Sequence, residues 1–166
     1  MAGTLDVATN RNLNLQGFGQ LNEEAKACYA LPLRFTPAVA SILILIGLLL
    51  QSPIWLGSMA LVALSGALLP NGMLIDLTYN LGVRRIFHAP PLPSTPKPRQ
   101  FSYLLSTVFL ASSAVSFHYG LWVLGLVIGG LVFLAGTILS TTLWCLGSWY
   151  YRKIFRRALV AVKQHT

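Results

Sequence analysis

The sequence predicts an all-α polytopic membrane protein, with four transmembrane helices in two hairpins and an interfacial amphipathic helix between them. Three observations carry this. Of 166 residues, 55% are hydrophobic and only 10% charged, against roughly 25% charged in a typical soluble domain. Two stretches, Arg34 to Asp76 and Arg99 to Arg152, hold no charged residue between their ends, and each is long enough to cross a bilayer twice. The charge that remains is mostly basic, a net +8, and it flanks those stretches.

Basic residues beside apolar runs meet anionic headgroups, so the expected partner is the lipid bilayer and not nucleic acid. Arg84, Arg85, Arg152, Lys153, Arg156 and Arg157 are the expected membrane-surface residues. With four spans, all 12 Lys and Arg residues fall on one side, and the two short turns, Gln51 to Pro53 and His118 to Gly120, carry none. The positive-inside rule then places both termini and the central stretch in the cytoplasm of a bacterial inner membrane, cytoplasmic or intracytoplasmic. The first 34 residues lack the apolar core of a secretory signal, so the first span is expected to be a retained anchor.

The chain divides into five segments. Residues 1–33 form an N-terminal arm and a surface helix. The Asn- and Gln-rich part to Gln20 has no periodicity and reads as an extended arm, either disordered or lying on a partner. Asn22 can cap a short helix to Leu31, Glu23 and Glu24 suit its positive end, and Pro32 stops it. Residues 34–70 form hairpin 1: span 1 from about Phe35 to Gln51, with Pro37 near its start, and span 2 from about Ile54 to Leu69, ending at Pro70-Asn71-Gly72.

Residues 71–100 are cytoplasmic. From Leu74 to Phe87, Ile75, Tyr79, Val83 and Ile86 share one helical face, Leu74, Leu77 and Leu81 widen it, and Asp76, Asn80 and Arg84 line the other side. Such a helix lies in the interface plane. Pro90 to Pro98 holds five prolines and reads as an extended spacer, a connector or a docking strip. Residues 101–151 form hairpin 2: span 3 from about Phe101 to Phe117, and span 4 from Leu121 to Tyr150, roughly 45 Å if continuous. Trp144, Trp149, Tyr150 and Tyr151 mark its exit from the bilayer. Residues 152–166 form a basic cytoplasmic tail.

Lipid gives helices little hydrophobic reason to associate, so small residues should form the contacts. Gly125 and Gly129 make a G-x-x-x-G on span 4, and Gly136 and Ser140 continue that stripe. Span 3 offers Ser102 and Ser106, and span 2 offers Ala63 and Ala67.

Two pieces of the chain look like parts of one family. The first runs Pro70-Asn71-Gly72-Met73-Leu74-Ile75-Asp76-Leu77-Thr78-Tyr79-Asn80, then Val83-Arg84 and the Pro-rich spacer. The second is Pro98-Arg99-Gln100-Phe101 and a hairpin ending Trp144-Cys145-Leu146-Gly147-Ser148-Trp149-Tyr150. Together they resemble a bacterial family of small four-helix membrane proteins described only as a domain of unknown function, over about Arg34 to Arg152. The resemblance implies a fold and no reaction. That family often carries a C-x-G-C pair in its last helix; Cys145 matches the first cysteine, and Ser148 stands where the second would be.

No paired carboxylates, nucleophile elbow, phosphate loop or metal motif is present, and the sequence predicts no cofactor and no metal. His118 is the one weak candidate ligand. No Asp, Glu, Lys or Arg falls inside the expected spans, which argues against a small transporter. Cys28 and Cys145 define no disulfide framework, and Cys145 is expected toward the C-terminus of a helix, where the dipole disfavours a thiolate. The leading expectation is therefore a non-catalytic subunit that packs against other membrane-protein subunits of a larger complex, respiratory or photosynthetic. The alternative is a membrane thiol or sulfur-relay protein using Cys145.

Overall fold

The protein is described by a computed structural model over residues 6–69, 73–87 and 91–163, with side chains to Phe155 apart from those of Val83, Ile86 and Phe87. The expected turn at Pro70-Asn71-Gly72, His88, the side chains of Arg156 and Arg157 and the end of the tail lie outside the described residues.

The described residues are helical, with no strand. In order they form α1 (Val7–Leu13), continued by a π-turn over Asn14–Phe18, α2 (Glu23–Ala30), α3 (Pro32–Leu49) and α4 (Pro53–Leu68). A short run follows as α5 (Leu74–Thr78), a π-turn (Tyr79–Val83) and α6 (Arg84–Phe87). Then come α7 (Lys97–His118), α8 (Trp122–Thr142) and α9 (Leu146–Lys163). Three helical stretches are long and apolar enough to cross a membrane: Glu23–Leu49, Lys97–His118 and Trp122–Thr142. The fourth expected span, Pro53–Leu68, is apolar but only 16 residues long.

Four long helices share one core. Around it the order is α4, α7, α8, α3, so the closest partners are α4 with α7 and α3 with α8. Ile44, Leu48, Leu56, Met59, Leu110, Phe117 and Val132 meet at the centre. The outer face of α8 exposes Val123, Val127, Leu131 and Leu134, an apolar surface suited to lipid. The turn between α3 and α4 holds Gln51 at φ 48, and Ser52 Oγ accepts from Trp55 N at 3.3 Å.

The first correction concerns span 4. It is not one helix to Tyr150. Its 21 residues make roughly 31 Å, about one hydrocarbon thickness, and it stops at Thr142. Leu143 turns to φ 54, and α9 begins at Leu146. No glycine or proline marks the break. Thr142 Oγ1 instead bonds back to Ile138 O at 2.7 Å and accepts from Trp144 N at 3.1 Å, the side-chain competition that favours a helix end.

The second concerns the arm. It is helical and lies on its own chain. Asn12 and Gln16, one turn apart on α1 and its π-turn, donate to Thr142 O (2.8 Å) and Leu143 O (2.7 Å), carbonyls that the break strips of helical partners. Leu13, Phe18 and Leu143 are buried together. At Gly17 the backbone takes φ +104, and any side chain there would strike Pro96. Lys26 is buried and donates to Asn10 Oδ1 and Asn14 Oδ1.

Smaller differences follow the prolines. Pro32 opens α3, and Leu31 before it keeps helical angles, so α2 and α3 run nearly as one. Pro37 lies inside α3 rather than at its start. The described part of the Pro-rich spacer, residues 91–96, has no regular structure, and Pro96 is extended (φ −68, ψ 155), but Lys97 to Gln100 already belong to α7, with Pro98 in the first turn, where proline has no N–H to waste. Asn22 caps α2 through Ala25 N (2.9 Å).

The 74–87 run buries Ile75 and Tyr79 and exposes Leu74, Leu77 and Leu81. Burial raises the Tyr79 phenol above its ordinary 10.0, with Arg84 opposing, so it stays neutral against Phe35 (5.2 Å between rings). Its polar side is not simply solvated: Asp76 accepts from Thr36 Oγ1 at 2.5 Å, and Asn80 accepts from Leu92 N at 2.9 Å.

Removing the arm's hydrogen bond tests its role. Gln16→Ala leaves the buried Leu143 carbonyl unpaired, at a cost of about 1–3 kcal/mol. The expected outcome is a lower thermal midpoint and faster amide exchange at Leu143 to Trp149, with α4 and α7 unaffected.

Candidate functional site: a cavity between four helices

The ends of α3, α4, α7 and α8 that lie on the side of the termini enclose a cavity of about 140 Å3, closed further by the first residues of α9. Most of its wall is apolar. Its polar groups are Arg99, Ser102, Tyr103, Ser106, Ser41 and Cys145. The first four are one helical stripe, i, i+3, i+4, i+7 of α7.

Arg99 is the residue the sequence reading missed. It was counted as a flanking cation outside span 3. Because α7 starts at Lys97, Arg99 is in the helix, and it is only 3% exposed. Its Nε donates to Tyr103 Oη at 3.0 Å. Among the described residues that is its one hydrogen bond. Asp76 and Cys145 lie within Coulombic reach, but Asp76 is bonded to Thr36. A signal was available in retrospect: Arg99 and Tyr103 are spaced i, i+4, with Pro98 setting the helix start just before them.

Cys145 is corrected as well. It does not end a helix; it immediately precedes one, and its carbonyl accepts the first bond of α9 from Trp149 N at 3.0 Å. It is 4% exposed, and its Sγ lies 2.9 Å from Ser102 Oγ. Gly147 makes the approach possible, because a Cβ there would come within 2.9 Å of the Ser102 Cα. Ser148 is fully buried and its Oγ has no partner among the described residues. Cys28 is exposed on α2, and both cysteines are free.

The other expected residues are placed as follows. Gly125 packs under the Phe117 ring and its carbonyl accepts from Ser113 Oγ at 2.7 Å. Gly129 faces Leu48 and Ser113, and Gly136 faces Ser41. Ser140 bonds to Thr137 O of its own helix. Ala63 is buried on the cavity wall and Ala67 is half-buried. His118 is exposed at the opposite end of α7, edge-on to Tyr119. Arg84 is half-buried and Arg85 exposed. Arg152 donates to Asn14 O, and Lys153 sits 5.0 Å over the Trp149 ring. Among the described residues no cluster of His, Cys, Asp or Glu could hold a metal ion.

Residues 32–156 match the family described as domain of unknown function DUF4395. The chain belongs to that family. This agrees with the resemblance drawn from the two motif stretches. No curated protein and no solved structure matches it. The DUF4395 region contains the whole cavity, Arg99 and Cys145, whereas the arm that covers the α8 break precedes it.

A buried arginine whose one hydrogen-bond partner among the described residues is a neutral phenol is a poor stabiliser even with Asp76 in Coulombic reach, because desolvating the charge costs several kcal/mol. Arg99→Met is therefore expected to leave the thermal midpoint unchanged or raise it. A clear fall in the midpoint would make Arg99 a structural anchor instead of a site residue.

Proposed function

We propose that the chain is a multi-pass protein of a bacterial inner membrane, with four spans and both termini in the cytoplasm, whose work is thiol chemistry at Cys145. The observation that carries this is the break at Leu143. It turns Cys145 from the end of one helix into the start of another, on a cavity that also holds a buried cation. A reactive thiolate needs a helix N-terminus or a nearby positive charge, and both are present. The four-span layout is supported by the shared core and by the basic residues at one end of it. The 16-residue α4 is roughly 24 Å long and needs an upright course or local thinning.

The reading as a non-catalytic subunit rested on two features, spans free of charge and an arm seeking a partner. Arg99 and the docking of the arm on its own chain account for both differently. The small-transporter reading also lost its chief objection with Arg99, but it gives Cys145 no part. The geometry favours the thiol.

Cys145 lines a partly open cavity, so small reagents are expected to reach it. Iodoacetamide is expected to label Cys145 in native membranes of a Cys28→Ser variant, and Cys145→Ser is expected to abolish activity. A Cys145 that labels no faster than a cysteine placed at the buried Leu110 position would overturn the proposal.

A further inference from the structure

Three positive features converge on one cavity. Arg99 is buried there with its terminal nitrogens unbonded among the described residues. The cavity also adjoins the N-terminal ends of α7 and α9, whose partial positive charges a cation such as Arg99 does nothing to offset. Asp76, the one acid near enough to act on Arg99, does not line the cavity and makes its hydrogen bond to Thr36. Ser41, only 5% exposed, lines the same cavity with its Oγ unpartnered among the described residues. Among the described lining residues no carboxylate meets these positive groups.

Size and chemistry narrow the anion. The volume, about 140 Å3, is close to that of a cavity of about 150 Å3 that takes benzene, so a small anion fits inside it. Cys145 has no second thiol beside it, since Ser148 occupies the position one turn on. It cannot close a disulfide within its own helix turn, and its remaining role in a relay is to carry a group.

We infer that the cavity binds a small sulfur-bearing dianion of the thiosulfate type, and that Cys145 accepts its outer sulfur as a persulfide; this rests on the thiol reading of the site. Cys145 Sγ attacks the outer sulfur of the anion. The S–S bond of the donor breaks as a new S–S bond to Cys145 forms. The leaving group departs with the bonding electron pair as sulfite and takes up the thiol proton, so thiol plus thiosulfate becomes persulfide plus hydrogen sulfite with no added oxidant or reductant. Arg99 and the first-turn amides of α9 bind the oxygens. Ser102, bonded to Sγ, positions the thiol.

The test uses the full chain in lipid nanodiscs, with Cys28→Ser leaving one thiol. Incubation with thiosulfate is expected to add the mass of one sulfur atom to Cys145, removable by reductant, and to release an equal amount of sulfite. Sulfate, with similar charge but no transferable sulfur, is expected to slow alkylation of Cys145 without adding mass. Arg99→Met should weaken both effects by about tenfold to a hundredfold, as loss of a charged hydrogen bond would, and Arg99→Lys should retain part. A Cys145 that alkylates readily but gains no sulfur and is not protected would overturn this inference while leaving the thiol reading intact. Protection without sulfur transfer would overturn it too, as would transfer unaffected in both Arg99 variants. A Cys145 inert to alkylation would instead count against the thiol reading itself.

Discussion

A helix that stops leaves its last backbone carbonyls without helical partners, and those that are buried need others. In this protein Asn12 and Gln16 close two of them, at Thr142 and Leu143. Much of the molecule's terminal end follows from that. The arm must fold as a helix, because only a helix sets two amides one turn apart. Leu13 and Phe18 are carried into the same layer and bury Leu143. Once α8 is allowed to stop, the chain can turn and start α9 against α7, with Gly147 pressed on Ser102.

The same turn creates the site. Had α8 continued to Tyr150, Cys145 would have stood at the negative end of a dipole. Starting α9 instead, it faces a cavity whose other notable group is a buried guanidinium. Arg99 carries a desolvated charge whose one hydrogen bond among the described residues is to a neutral phenol, with Asp76 in Coulombic reach. A buried charge that lines a cavity is a candidate for function.

Much of the architecture was legible in the chain. Two uncharged runs with turns at Gln51 to Pro53 and His118 to Gly120 mark four apolar helices, and three helical stretches are long and apolar enough to cross a membrane, because hydrophobic length is a direct physical requirement of a bilayer. The amphipathic spacing grouped Ile75 and Tyr79, which are buried, with Leu74, Leu77 and Leu81, which are exposed, and Asn22 found its cap. The break at Leu143 was not legible. No Gly or Pro announces it, and the Thr residues before it act through hydrogen bonds that also occur inside helices. The arm was not legible either, since its Asn and Gln are satisfied by carbonyls about 130 residues away, as in the Asn12 bond to Thr142. Arg99 was misplaced by four residues of helix: the prolines around it suggested a spacer, whereas Pro98 in a first turn permits one. Misplacing the break and the start of α7 together hid the meeting of Arg99 with Cys145.

The account depends on α9 beginning at Leu146, with Cys145 held against α7. A Ser102→Cys substitution in the Cys28→Ser background measures this directly, because Ser102 Oγ and Cys145 Sγ are 2.9 Å apart. Rapid formation of a disulfide between positions 102 and 145 in native membranes under mild oxidation is the predicted result. If the two thiols stay reduced while both react with small alkylating reagents, Cys145 does not sit against α7 and the site does not exist as described.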